Sequence, residues 1–355
     1  MITIKEIAKL ANVSPGTVDR VIHNRDGVSE KTADRIKVIL KEHNFKVNRI
    51  AQSLAMKKKY TIAVLLPHYD EEDSFWKAPL EGIEKAKEEV RSFGVVVETF
   101  SFDQKNSSSY IKSFEQLLKT KPQGVVLVPT FKQETRRLTN ILLQENIPFV
   151  FLNIALSGYG NLSFIGQDSF KSGYLSGKLM QLCLNEGDDI LTIHSRSNLS
   201  NFNNISQRTK GFDCYFKENG LKNTNHYIEI EDFWDTKKVK VSIEMALKSI
   251  PKIRGIFVPN SRSYIIADHI NDYRDKVPFL IGFDLTEHNA QALVDDRITF
   301  LISQKPFQQG YRAINSLSKF LLYSTPPATE ILSSIEIVTK ENIPDYRQKE
   351  HAIFL

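Results

Sequence analysis

The sequence predicts an α/β protein: a large body of two parallel sheets flanked by helices, preceded by a small all-α N-terminal domain. Three observations carry this. From Tyr60 onward, apolar strand-like runs alternate with amphipathic helical stretches. Those strands are too numerous for one small sheet, which calls for two lobes. Before residue 60 the apolar spacing is helical. Charge divides the chain at the same place. Residues 1–60 hold 13 Lys+Arg against 6 Asp+Glu, a net of +7, and the other 295 hold 34 against 36, a net of −2. A basic head on a nearly neutral body fits a polyanion-binding module joined to something else, although a merely solvated face would have the same composition.

Within the head, Thr3 and Glu6 form the pattern of a capping box, and Ile4, Ile7, Ala8 and Ala11 follow at helical spacing. Asn12-Val13-Ser14-Pro15 interrupts that helix. Ser14 suits an N-cap and Pro15 a first helical position. Val18, Val21 and Ile22 give the second helix its apolar stripe. Ser29 caps a third, with Ala33, Ile36, Ile39 and Leu40 on its buried face. Two short helices joined by a tight turn and braced by a third make a helix-turn-helix, whose second helix enters the major groove N-terminus first. Pro15, Gly16 and Thr17 lead that helix, with Arg20 on its exposed side. The hydroxyls of Ser14, Thr17, Ser29 and Thr32 and the charge of Lys31 suit phosphate contacts, which fix position rather than sequence. An ordinary three-helix bundle is the plainer alternative.

In the body, Thr61–Leu66 reads as a buried strand and Pro79–Phe93 as an amphipathic helix. Val95–Phe100, Gly124–Val128 and Phe149–Leu152 read as further strands, with a helix over Ser109–Leu118. Helices 169–185, 204–219 and 237–249 then alternate with strands 189–193, 226–230 and 255–258, followed by strands 279–283 and 299–303. No GxGxxG or GxxxxGK[ST] opens any of these helices, so no nucleotide cofactor is expected. Ligands in open α/β sheets bind beyond the carboxyl ends of strands, and two lobes facing each other make a cleft that closes by hinge motion.

The planar side chains Asp73, Asn153, Arg208, Asn260, Asp284 and Gln304 suit vicinal hydroxyls, and Phe75 and Trp76 suit the apolar face of a sugar ring. Phe233 or Trp234 is expected to add a second aromatic wall. A carboxylate ending a buried strand needs a partner, which singles out Asp284. Trp76 and Trp234 could instead be core, and Arg208 a surface ion pair. His68 and the acidic run Asp70–Asp73 could suggest a metal, but acidic loops are usually solvated and no metal is assigned. No nucleophile elbow surrounds His194-Ser195 and no carboxylate pair suggests hydrolysis, so no catalytic set is expected.

Several blocks are specific enough to carry a resemblance. Val13–Val21, Val28–Thr32 and Asn48-Arg49-Ile50-Ala51-Gln52-Ser53-Leu54-Ala55 are similar to the head and hinge helix of the LacI/GalR family of bacterial regulators. Residues 60–340 resemble the type I periplasmic binding protein fold. The supporting blocks are Phe75-Trp76, Gly124–Pro129, Ile147–Val150, Ile165–Asp168, Arg208–Phe212 and Ile281–Asp284. Asp19 and Val47 depart from the family pattern, which has a small hydroxyl residue and a proline there. The resemblance implies a helix-turn-helix domain over 1–46, a hinge helix and linker over 47–59, and a two-lobed ligand-binding and dimerisation domain over 60–355. It further implies that the hinge folds on operator DNA and wedges Leu54 into the minor groove. The DNA contacts are then expected at Thr3, Ser14, Pro15, Gly16, Thr17, Arg20, His23, Ser29, Lys31, Thr32, Asn48, Ala51, Gln52 and Leu54. The implied protein is a homodimeric, sugar-responsive repressor of carbohydrate-utilisation genes, with operator DNA and a small effector as partners and no cofactor or membrane. Asn153-Ile154 stands where sugar-binding relatives often carry an acidic residue and arginine, so hydroxyl recognition is kept and charge is lost. The rivals are a sugar transport or chemosensory protein and an α/β enzyme.

No run of about 18 apolar residues is present, and Met1–Glu6 lacks the basic-then-apolar order of a signal peptide. Cys183 and Cys214 are too few and too far apart for a disulfide framework or a thiolate zinc site, consistent with the reducing cytoplasm expected for the chain.

Overall fold

The computed structural model describes residues 2–22, 26–43, 45, 59–69, 74–195, 202–230 and 233–350. The chain divides into two compact units at Lys57/Lys58.

The first unit holds helices α1 (Ile4–Leu10), α2 (Pro15–Ile22) and α3 (Glu30–Glu42). Thr3 and Glu6 close the expected capping box on α1. Asn12 adopts φ 50°, turning the chain between α1 and α2; Asn tolerates this left-handed region better than most residues. One small core of Ile7, Ala8, Ala11, Val18, Val21 and Ile36 joins all three helices.

The second unit contains two six-stranded sheets of matching design. Lobe 1 has β1 (Tyr60–Pro67), α4 (Lys77–Arg91), β2 (Val95–Phe102), α5 (Ser107–Lys119), β3 (Gly124–Leu127), α6 (Lys132–Gln144), β4 (Phe149–Leu152) and β5 (Ser163–Gly166). The chain then crosses to α7 (Ser169–Cys183), β6 (Asp189–Ser195), α8 (Phe202–Glu218), β7 (Asn225–Ile230), α9 (Thr236–Ser249), β8 (Ile253–Phe257), α10 (Ser263–Ile270), β9 (Phe279–Phe283), α11 (Glu287–Val294) and β10 (Phe300–Ser303), which build lobe 2. Helix α12 (Pro306–Tyr323) returns to pack on lobe 1. Strand β11 (Glu330–Leu332) joins sheet 1, β12 (Glu336–Val338) joins sheet 2, and α13 (Ile343–Glu350) ends the described chain. The strand orders are β11-β5-β4-β3-β1-β2 and β12-β10-β9-β8-β6-β7. All pairings are parallel except β12 with β10.

Burial follows the two-residue period of a strand covered on both faces. Ile62, Val64 and Leu66 of β1 face α4 and α12 in one core, while Ala63 and Leu65 face α5 and α6 in another. Sheet 2 repeats this, with Leu191 and Ile193 on one face and Ile190 on the other. Strands β5, β11 and β12 are three or four residues long, too short for periodicity to reveal.

Two helix pairs cross with backbone in contact. An added Cβ on Gly173 of α7 would lie 1.9 Å from the Arg208 carbonyl oxygen on α8, and one on Gly211 of α8 would lie 2.0 Å from that of Phe170. Gly82 of α4 and Gly310 of α12 make the matching approach in lobe 1, each 2.0 Å from a facing carbonyl oxygen. No larger residue fits any of these four positions without moving a helix.

Candidate functional site: a polar cleft between matched strand ends

Equivalent strands of the two sheets end in equivalent turns. Asn153 follows β4 at φ 67° and Asp284 follows β9 at φ 64°. Each donates its backbone N–H to the neighbouring strand, Asn153 to the Ile165 oxygen at 2.8 Å and Asp284 to the Ile302 oxygen at 2.9 Å. Non-glycine residues other than Asn and Asp pay more for this left-handed conformation, so both side chains are compatible with a sharp turn at a strand end. Gln167 and Gln304 likewise follow the matched strands β5 and β10.

A relay of planar groups runs across the cleft. The Asp284 carboxylate accepts Gln304 Nε2 at 3.0 and 3.1 Å. That turns Gln304 Oε1 toward Asn153, whose Nδ2 donates to it at 2.9 Å and to Gln309 Oε1 at 3.1 Å. Asn204, from α8, donates to the Asn153 carbonyl at 3.1 Å, and neighbouring Asn203 donates to the Ala155 carbonyl at 2.8 Å. The carboxylate sets the orientation of the Gln304 amide and, through it, that of Asn153, because it can only accept while ionised.

Arg208 stands beside this relay, 4% exposed, with its guanidinium carbon 3.8 Å above the Phe283 ring. Its Nη1 donates to the Pro259 carbonyl at 3.0 Å. Nε and Nη2 have no hydrogen-bond partner among the described residues, and neither has Asn260 Nδ2. Asn260 Oδ1 is held by the Arg262 backbone N–H at 2.9 Å, which leaves the amide's donor end over. Burial pushes the Asp284 carboxyl up to about 6, opposed by the Arg208 charge and the Gln304 hydrogen bond. Burial lowers Arg208 to about 10, opposed by Asp284. An unmade hydrogen bond costs a buried donor about 1–3 kcal/mol, so three of them around one point mark a place built for acceptors.

Phe75, Asn153, Asn204, Arg208, Asn260, Asp284 and Gln304 surround a central space of about 20 Å³. That is room for about one water, so the two lobes are closed on each other. Wider spaces flank it. One of about 290 Å³ includes Phe75, Asp284 and Arg347, and one of about 580 Å³ includes Asn204 and Gln167.

The cleft therefore gathers Phe75, Asn153, Arg208, Asn260, Asp284 and Gln304 from the expected set. Two expectations are corrected. Trp76 is 1% exposed and packs edge-on to Phe75 within the lobe 1 core, because α4 starts there and turns its ring inward. Phe233 is likewise 1% exposed, filling the lobe 2 core. Trp234 packs against that core with the Arg262 guanidinium 5.6 Å from its ring centroid. Asp73 and the acidic run around it lie outside the described residues.

Sequence reasoning missed Asn204, Gln309 and Asn289. Asn289 is fully buried on α11 and donates to the carbonyls of Ser261, Phe283 and Asp284 at 2.8–2.9 Å. It thereby pins the two loops that carry Asn260 and Asp284. An Asn inside an apolar helical stripe was the available signal.

In the head, Ser14 and Thr17 share a hydroxyl hydrogen bond of 2.9 Å, and Ser29 and Thr32 one of 2.8 Å. Each Ser also accepts the backbone N–H of its Thr. One hydroxyl of each pair must donate to the other, which leaves the second O–H of the pair to donate outward. Pro15, Gly16 and Arg20 lie on α2, and Lys31 lies in the first turn of α3. His23, Asn48, Ala51, Gln52 and Leu54 lie outside the described residues.

Residues 3–48 match the family model of bacterial regulatory proteins, lacI family, and residues 62–322 match a periplasmic binding protein domain. The chain belongs to the periplasmic binding protein domain family and carries a lacI-family domain at residues 3–48. The ribose operon repressor of Lactococcus lactis is 25% identical to this chain over 98% of the chain's length and 100% of the repressor's. The transcriptional regulator MalR of Streptococcus pneumoniae is 29% identical over 179 residues, 49% of this chain and 51% of MalR, so the matched part spans about half of that relative. A putative LacI transcriptional regulator from Bacteroides fragilis superposes with a TM-score of 0.73 at 26% identity, covering 81% of this chain and all of that one. The glucose-galactose binding protein GanP of Geobacillus stearothermophilus gives 0.70 at 18% identity over the same share, which shows the common fold. Among the described residues no helix is long and apolar enough to cross a membrane.

Proposed function

We propose that this chain is a carbohydrate-responsive repressor that binds operator DNA as a homodimer in the cytoplasm. One observation carries the reading: a helix-turn-helix unit shares its chain with a cleft in which buried, unpaired donors stand beside an ionisable carboxylate. A sugar hydroxyl both donates and accepts, so vicinal hydroxyls satisfy Arg208 Nε and Nη2, Asn260 Nδ2 and the Asp284 oxygens together, with Phe75 against the ring. Domain limits of 1–46, 47–59 and 60–355 go with this reading, as does the DNA-contact set above. The effector acts by changing how far the lobes close, which biases the dimer's DNA-competent state.

Fluorescence anisotropy with DNA from the region upstream of its own gene, at two salt concentrations and with a panel of sugars, tests this. Sequence-preferring binding whose strength changes with one sugar is expected, and the direction of change distinguishes induction from co-repression. A full-length protein that binds sugar but shows no preference among DNA sequences would instead be a carbohydrate-binding protein of another kind. Turnover of the bound sugar would make it an enzyme.

A further inference from the structure

The larger of the two spaces flanking the cleft has features of a binding site in its own right. Its volume of about 580 Å³ falls within the range of about 300–1,000 Å³ of small-molecule sites, and it exists with the lobes already closed. It lies where α8 of lobe 2 faces the 155–159 loop of lobe 1, beside the chain crossing at Gln167.

Gln167 is 3% exposed. Its Nε2 donates to the carbonyls of Ser303 at 2.9 Å and Ser334 at 3.1 Å, which belong to the other two crossings between the lobes. Its Oε1 has no partner among the described residues, although the residue lines this space. A buried acceptor without a donor is the complement of the unpaired donors at the centre. The walls add Gln207, the Arg136 guanidinium stacked 3.4 Å from the Tyr159 ring centroid, and the half-exposed ring of Phe170. Planar amides, a guanidinium and aromatic surface around an unpaired acceptor, with the Asp168 and Glu330 carboxylates also on the walls, suit a hydroxylated ring, not an apolar ligand. Asn204 borders both this space and the central one, so once the lobes part enough to admit a ring at the centre, a second unit of the same ligand has the flank beside it.

We propose that this flank is a second carbohydrate subsite and that the effector is a disaccharide or longer glycoside. One unit occupies the centre and the next donates a hydroxyl to Gln167 Oε1. This rests on the carbohydrate-responsive reading above. Because the same Gln167 amide ties the three crossings together, the second unit bears directly on the hinge.

Isothermal titration calorimetry on the full chain tests it, with glucose, galactose, fructose and ribose against maltose, sucrose, trehalose and lactose. At least one disaccharide should bind 10-fold or more tightly than either of its component sugars. Ser157→Trp, placed on an exposed loop to fill the flank, and Gln207→Ala should remove that gain while monosaccharide affinity stays within twofold. Gln207→Ala keeps the test intact if the tryptophan variant misfolds by circular dichroism. A tight monosaccharide with no gain from a second unit, or a gain that neither variant touches, overturns the subsite and leaves the repressor reading standing. Failure of every sugar, short or long, overturns the carbohydrate reading itself and the subsite with it.

Discussion

Asp284 and Arg208 show how single side chains set the character of the cleft. Both are buried, both are pushed toward neutrality, and each opposes the other's shift. Because the folded-state pKa of Asp284 is raised from 3.8 to about 6, the native protein binds a proton that the unfolded chain has lost between those values. Stability from this group is therefore fully present below about pH 4 and falls as pH rises to about 6, by about 3 kcal/mol at 1.36 kcal/mol per pH unit. Thermal melts from pH 4 to 7 should show that slope in the native chain and not in Asp284→Asn. Arg208→Lys keeps the charge but loses the planar fork that presents Nε and Nη2 together. Effector affinity should fall by about 10- to 100-fold, the worth of a lost charged hydrogen bond, as read by calorimetry. The residues at strand ends were legible in the sequence because a polar group closing an apolar run is conspicuous. Asn204 and Gln309 were not, since a polar residue on a helix is ordinary until its facing partner is known.

Elements place those side chains through close backbone contact. Arg208 offers its own carbonyl oxygen to Gly173 across the α7–α8 crossing, so the spacing of that pair locates the guanidinium. Gly173→Ala should cost about 1–3 kcal/mol by overpacking and also weaken effector binding. Gly82→Ala, which disturbs the α4–α12 crossing instead, should destabilise to a similar degree with less effect on binding. Denaturant unfolding and titration of both variants separate the two effects. In the head, Ser29 caps α3 by accepting the Thr32 N–H. Ser29→Ala should reduce head stability by about 1 kcal/mol, measured on the isolated 1–57 unit or as a loss of helicity. Lys31→Ala should instead lower the slope of log affinity against log salt by about 1 without changing preference among DNA sequences.

At the scale of the whole molecule, the boundary at Lys57/Lys58 separates two units with cores of their own. The 58–355 body alone should bind the effector as the full chain does and show no sequence-preferring DNA binding. Within that body, Asn203 and Asn204 fasten lobe 2 to the Asn153–Ala155 backbone of lobe 1. Replacing both with Ala removes two hydrogen bonds worth about 2 kcal/mol together, and small-angle scattering of the free body should show a larger radius of gyration. An unchanged radius would mean that closure is held elsewhere, as by the pair of buried Lys305 with half-buried Glu336 at the hinge.

The alternation of strands and helices, the helix-turn-helix, the resemblance to a family and most of the strand-end polar groups are readable along the chain. Those follow from local periodicity, caps and turns, which neighbouring residues encode. The tertiary structure alone decided that Trp76 and Phe233 are core and that Phe75 lines the cleft. An aromatic side chain has the same local preference for burial whether it faces a sheet or a ligand. It also decided the return of α12 to lobe 1, the division of β11 and β12 between the sheets, and the meeting of Asn204 with Asn153. Contacts between residues tens to hundreds of positions apart depend on which helix faces which strand end, and no local pattern records that choice.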